Sequence, residues 1–302
     1  MPRMLMIALT FVLILVAGPA AAKLRIVTTT ADLAAIAQQI GGGHVTVTAL
    51  ALHTQDPHFV DARPHLALEL SRADLLLVMG LDLEIGWLPT LQTGSRNGDI
   101  QVGGRGYVDC SQFVRVLEVP TTRVDRSQGD VHPRGNPHYL YDPRQAAKVA
   151  SGIAARMGQL DANHRASYQA GARAFRTKLG KWQSAWEKKL APLRGGRLLA
   201  YHKSFVYLGD WLGFSVPIHV EPRPGIPPNP GHVARVISVA RTSGVRAILQ
   251  ESWYPSRTSR LIASKSGAKL VTIPGAPNFK GGQSYIGFIN EIVKKLAAAT
   301  GA

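Results

Sequence analysis

Three histidines carry the chemistry this sequence offers. His58 sits in Asp56-Pro57-His58, His138 in Gly135-Asn136-Pro137-His138-Tyr139-Leu140-Tyr141-Asp142-Pro143, and His202 in Tyr201-His202-Lys203-Ser204-Phe205. Each follows a strand-like run and stands before a helix-like one. Around His138 the local reasons are explicit. Pro137 steers Asn136 away from the helical region. Asp142 is placed to cap the next helix and Pro143 to open it, so the imidazole lies on a rigid bend. Neutral imidazole is the commonest metal-binding side chain. Three of them at equivalent junctions, far apart in sequence, are what a metal site between two lobes needs. Glu251, at the end of another strand-like run, adds a carboxylate. Three imidazoles and one carboxylate suit zinc in four-coordinate geometry, whereas manganese and calcium prefer more oxygen.

The elements that must position these groups alternate. Residues 24–27, 44–50 and 75–79 read as strands, the last apolar throughout, as expected of a strand buried on both faces. Helical patterns over residues 32–40, 64–71 and 143–157 follow or separate them. A long helical stretch over residues 162–190 carries Tyr168, Phe175, Leu179, Trp182 and Trp186 at spacings of three, four or seven. At 1.5 Å per residue it spans roughly 40–45 Å, which makes it a strut between lobes. The alternation then resumes, with strands at 198–201, 215–220, 245–250 and 269–273 and helices at 205–212, 232–241, 257–266 and 283–298. Strand–helix alternation indicates parallel sheets covered by helices. The expected fold is therefore α/β: two lobes, each a mostly parallel sheet flanked by helices, joined by one long rigid helix. The lobes are residues 23–158 and 195–302, and the linking helix is 159–194. Ligands of such sheets bind outside the carboxyl ends of the strands, where His58, His138, His202 and Glu251 fall, two from each lobe.

The 302 residues, 45% hydrophobic, suffice for two ordinary domains. Arg3, the apolar run from Met4 to Gly18 and Ala20-Ala21-Ala22 compose a signal peptide over residues 1–22, with Lys23 the first mature residue. No cysteine follows the apolar run. The expectation is thus a free periplasmic protein, not lipid-anchored. Cys110 is the sole cysteine, which excludes an internal disulfide and a thiolate-rich metal site. The net charge is +16, of which the leader holds only Arg3. The basic residues are scattered, so the charge reads as surface solvation and not as a nucleic-acid footprint.

With these motifs the chain resembles the metal-binding (cluster A-I) solute-binding proteins of ABC transporters for zinc and manganese. The resemblance runs over essentially all of the mature chain and adds Gln250-Glu251-Ser252 to the segments quoted above. It implies a periplasmic receptor of two lobes, acting as a monomer, that captures one divalent cation between them. The ion is then delivered to an inner-membrane ABC permease and its ATPase. It implies His58, His138 and His202 as the first three ligands, and a histidine at the third position implies zinc, with manganese the less favoured cargo. Two departures stand out. The loop at residues 274–280, where the family carries an aspartate ligand, has no carboxylate. Glu251 is the expected substitute, with Asn278 or a water as alternatives. Second, the stretch from Arg123 to Arg134 offers only His132, Asp125 and Asp130 in place of a long histidine-rich loop, which argues against an auxiliary capture role. His53 and His65 flank the first ligand; His44, His164, His219 and His232 read as structural or solvated. Asp142 and Glu221 read as groups that cap a helix or fix an imidazole tautomer. The competing readings are a manganese-type receptor, a secreted zinc-dependent hydrolase with Glu251 as base, and an adhesin of the same fold. The sequence holds no His-Glu-x-x-His, which speaks against an enzyme.

Overall fold

The structure is a computed structural model that describes residues 22–302 except 123, 125–128 and 130. The leader expected at residues 1–22 thus lies, apart from Ala22, outside the described residues, as do Asp125 and Asp130. No helix among the described residues is long and apolar enough to cross a membrane.

The first lobe is built on a four-stranded parallel sheet of β1 (Leu24–Thr28), β2 (Val45–Ala49), β3 (Leu75–Val78) and β4 (Tyr107–Asp109), in the order β2-β1-β3-β4. The helices α1 (Ala31–Gly41), α2 (Pro64–Ser71), α3 (Leu88–Ser95) and α4 (Pro143–Leu160) cover it. Leu75, Leu76 and Leu77 of the central β3 have no exposed surface, as their unbroken apolar run requires. At α4 the expected signals operate together: Pro143 opens the helix, and the Asp142 carboxylate accepts from the Arg144 backbone N–H at 2.8 Å.

The strut is α5 (Arg165–Lys189), about 37 Å long at 1.5 Å per residue. Tyr168, Phe175, Leu179 and Trp186 are buried along one stripe, whereas Trp182 lies at the stripe's edge and is 39% exposed. The second lobe has a three-stranded parallel sheet, β5-β6-β7, of β5 (Leu199–Ala200), β6 (Ala247–Glu251) and β7 (Lys269–Ile273). Around it lie α6 (Val206–Leu212), α7 (Pro230–Thr242), α8 (Arg257–Ser266) and α9 (Tyr285–Thr300). Residues 215–220, expected as a strand, make only isolated bridges, Ser215 to Arg197 and His219 to Ala200. Pro217 lies between the two and has no N–H to give a ladder.

One apolar core runs through both lobes. It joins Ile26 and Leu77 of the first sheet, Phe175 and Trp186 of α5, Leu249 of the second sheet and Ile289 of α9. Polar contacts span the same boundary. The Asn136 amide donates to the Lys203 carbonyl at 2.8 Å, the Tyr207 hydroxyl donates to the Asn136 carbonyl at 2.9 Å, and Arg115 forks onto Asp210 at 2.9 Å.

Candidate metal centre

Three loops deliver the histidines. His58 stands in the loop between β2 and α2, His138 in the segment leading into α4, and His202 immediately after β5. One nitrogen of each ring lies within 4.8 Å of the corresponding nitrogen of the other two. The ring centroids are 5.3 Å (His58–His138), 5.2 Å (His58–His202) and 5.4 Å (His138–His202) apart. Among the described residues no other histidine, cysteine and acidic side chains converge in this way.

Each ring is oriented from behind. Asp56 accepts from His58 Nδ1 at 2.6 Å and from the His58 backbone N–H at 3.0 Å. The bend between them is held by the Trp87 indole N–H, which donates to the Pro57 carbonyl at 2.9 Å. Glu221 accepts from His202 Nδ1 at 2.8 Å, the tautomer-fixing role expected of it. A carboxylate accepts only, so Nδ1 carries the proton in both rings and the lone pair is on Nε2. His138 is fixed through its backbone: its N–H donates to Asn136 Oδ1 at 3.0 Å. Two residues before Pro137, Gly135 has φ +111, and a Cβ there would meet Val116 Cγ1 at 2.2 Å. Only glycine fits that bend.

Burial acts on the protonation of His138 and Asp56. It holds the half-buried His138 imidazole well below its ordinary value, helped by the neighbouring His58, His202 and His132 rings. Burial also works to raise the Asp56 carboxyl. Its hydrogen bonds from the His58 ring and backbone more than offset that and leave it below the usual carboxylate range. Neutral imidazoles backed by ionised carboxylates are the state a divalent cation requires of its ligands. The Nε2 of His138 is buried and has no hydrogen-bond partner among the described residues.

Glu251 ends β6, is 1% exposed, and shares with His138 and Tyr141 the lining of a small cavity of about 40 Å³. Its Oε2 has no hydrogen-bond partner among the described residues, and burial pushes its carboxyl up to about 8. It is not part of the converging three-histidine group. His132, whose stretch the sequence reading counted against a capture role, lies beside His58. Its ring lies 5.3 Å from that of His58, with Nε2 3.3 Å from His58 Nε2. The available signal was a histidine beside a proline, six residues before His138. His53 and His65 stay outside the group. His44 and His164 stack on each other at 4.0 Å, and His232 donates to the His219 carbonyl at 3.0 Å, the structural roles expected. Unanticipated is Glu84, buried under the turn after β3. It accepts from the Thr29 hydroxyl at 2.6 Å, the Met79 N–H at 2.7 Å and the Gly80 N–H at 3.2 Å.

Comparison with known proteins gives the following. The sequence profile of the family described as zinc-uptake complex component A, periplasmic, matches residues 26–299. The metal ABC transporter substrate-binding lipoprotein SloC of Streptococcus mutans is 22% identical over 91% of this chain and 89% of its own. The iron-binding protein YfeA of Yersinia pestis is 23% identical over 93% of this chain and 88% of its own. The crystal structure of ZnuA superposes with a TM-score of 0.78 at 22% identity, over 92% of this chain and 99% of that one. One expectation is overturned. SloC and further relatives are named lipoproteins, so the reading that this protein is not lipid-anchored is withdrawn. Its only basis was a cysteine missing from a leader whose structure is not described.

Proposed function

We propose, because the chain belongs to the zinc-uptake component A family of metal-binding substrate-binding proteins of ABC transporters, that its cargo is zinc. One ion is captured outside the cytoplasm between the two lobes and handed to a membrane permease driven by its ATPase. The observation that carries the reading is the convergence of His58, His138 and His202, with ring nitrogens mutually within 4.8 Å. The backing carboxylates on His58 and His202 strengthen it. Such a donor set supports zinc over manganese because imidazole suits borderline cations while manganese favours carboxylate, carbonyl and water oxygen. The name of YfeA makes iron the cation to test beside it.

Capture here needs no chemistry on the ion. The rings are pre-oriented, so little rotamer freedom is lost on binding. Bound at the boundary of the lobes, the ion links segments that precede and follow α5, which converts occupancy into a difference in how the lobes are held. A hydrolase reading gains nothing from the geometry, since the relatives are transport components. Metal analysis of protein taken from its native compartment without added metal is the test. One zinc per chain is expected, and one manganese or iron in its place would refute the assignment. His138→Ala should abolish zinc binding, and an unchanged titration would refute the site.

A further inference from the structure

We propose that His132 is a fourth ligand of the captured cation, so that the loaded site is made of four imidazoles and no carboxylate. The inference rests on the metal-capture reading above and concerns the composition of that same site.

The geometry comes from two rings whose tautomers are both fixed. His58 donates from Nδ1 to Asp56 at 2.6 Å. His132 donates from Nδ1 to the Leu81 backbone carbonyl at 3.1 Å, and a carbonyl, like a carboxylate, only accepts. The two Nε2 atoms are therefore both lone-pair donors, and they face each other at 3.3 Å. Two lone pairs at that distance repel unless a cation or proton sits between them. Zinc–nitrogen bonds are about 2.0–2.1 Å long, and in a tetrahedron the ligand atoms are then about 3.3–3.4 Å apart. The observed separation is that edge.

The support behind His132 is built, not casual. Leu81, which supplies the accepting carbonyl, has φ +54, and its neighbour Asp82 has φ +65. A non-glycine pair in the left-handed region is strained and persists only where the surroundings impose it. Here Glu84 grips the start of the turn through the Met79 and Gly80 N–H groups. The turn is also tied to the histidine's own segment, since Arg134 donates to Asp82 at 2.7 Å. A strained turn is thus used to aim one carbonyl at one imidazole. His132 is not yet within 4.8 Å of all three other ligand nitrogens, and its ring lies 6.3 Å from that of His138. Loading would draw it inward with the segment that carries it.

Charge is balanced without a carboxylate on the ion. Asp56 and Glu221 stand directly behind His58 and His202, and their two negative charges offset the double positive charge one imidazole away. This leaves Glu251 free of a ligand role.

The experiment is zinc titration by chelator competition, with X-ray absorption on the zinc-loaded protein, for the full mature chain and for His132→Ala, His132→Gln, Glu251→Gln and His138→Ala. We expect four imidazoles around zinc in the parent and three plus a light oxygen scatterer in either His132 variant. Zinc affinity should fall at least tenfold in both, and Glu251→Gln should match the parent. An unchanged imidazole count and affinity in the His132 variants overturns the inference, as does a tenfold loss in Glu251→Gln. If instead the parent binds no zinc, or His138→Ala binds as the parent does, the capture reading itself has failed. His132→Gln keeps a donor for the Leu81 carbonyl, so a folding defect confined to His132→Ala does not blur the result.

Discussion

Asp56 offers the sharpest separation of charge from geometry at the centre. Its carboxylate accepts the His58 Nδ1 proton at 2.6 Å and the His58 backbone N–H at 3.0 Å. With a side chain only 15% exposed, it is poorly screened. Asp56→Asn keeps an oxygen for both donors but removes the charge. Asp56→Ala removes both and leaves the His58 ring free to rotate or switch tautomer. Groups that orient a metal-bound histidine are typically worth 10–100-fold in affinity. Asn should therefore weaken zinc binding by about tenfold, or about 1.4 kcal/mol. Ala should approach 100-fold, or about 2.7 kcal/mol. The assay is chelator-competition titration at pH 7.5, with circular dichroism to establish the fold. Asp161 provides the control, because it holds His164 Nδ1 at a similar 2.7 Å away from the centre. Asp161→Asn should leave zinc affinity unchanged. Equal affinity of Asp56→Ala and the parent would refute the reasoning, because His58 would then need no orienting partner. Losses of the same size in Asp56→Asn and Asp56→Ala would show that charge alone matters.

Zinc at a thousandfold excess over Kd should stabilise the fold by about 4 kcal/mol, read as a rise in Tm that His138→Ala largely loses; an equal rise in that variant would break the link between site and stability. Gly135→Ala forces a Cβ against Val116 at a backbone angle of +111, and should cost about 1–3 kcal/mol in denaturant unfolding; a neutral result would show that the bend can relax. Glu84 predicts a pH dependence: burial outweighs its hydrogen bonds and holds its carboxyl at about 7, against 4.5 ordinarily. Between those values the folded state binds the extra proton, so stability is highest at the acid end and falls as pH rises towards 7, by about 3 kcal/mol in all. Glu84→Gln should flatten that fall in urea midpoints of the metal-free protein compared at pH 5 and 7.5, and an identical slope would refute the assignment.

The histidine junctions were legible because their signals are short-range. A proline before His138, a capping Asp142 and a helix-opening Pro143 act within a few residues, and the structure keeps them as read. The apolar run of β3 and the stripe of α5 were legible for the same reason, with Trp182 at the limit where a stripe becomes surface. The residues the sequence could not rank are those whose role depends on which loops meet. His132 became a neighbour of His58 only through a strained turn at Leu81 and Asp82, and positive φ in leucine has no sequence signature. Glu84 carried no signal in the sequence, because its role arises only where Thr29 and the turn after β3 meet over it. Residues 215–220 alternated like a strand, and Pro217 limited them to bridges. For Glu251, the chain alone yields its strand end but not its distance from rings supplied by the opposite lobe.

The uninterrupted core beneath the site bears on timing. A receptor whose halves share one packed interior through α5 and α9 cannot swing open without breaking close-packed contacts, and such contacts switch between discrete arrangements instead of yielding gradually. On the proposed capture reading, an ion's residence time is then set by rare, local movements of the three histidine-bearing loops. An unaided receptor of this kind behaves as a latch, and the work of unlatching falls to whatever docks across the mouth of the two lobes.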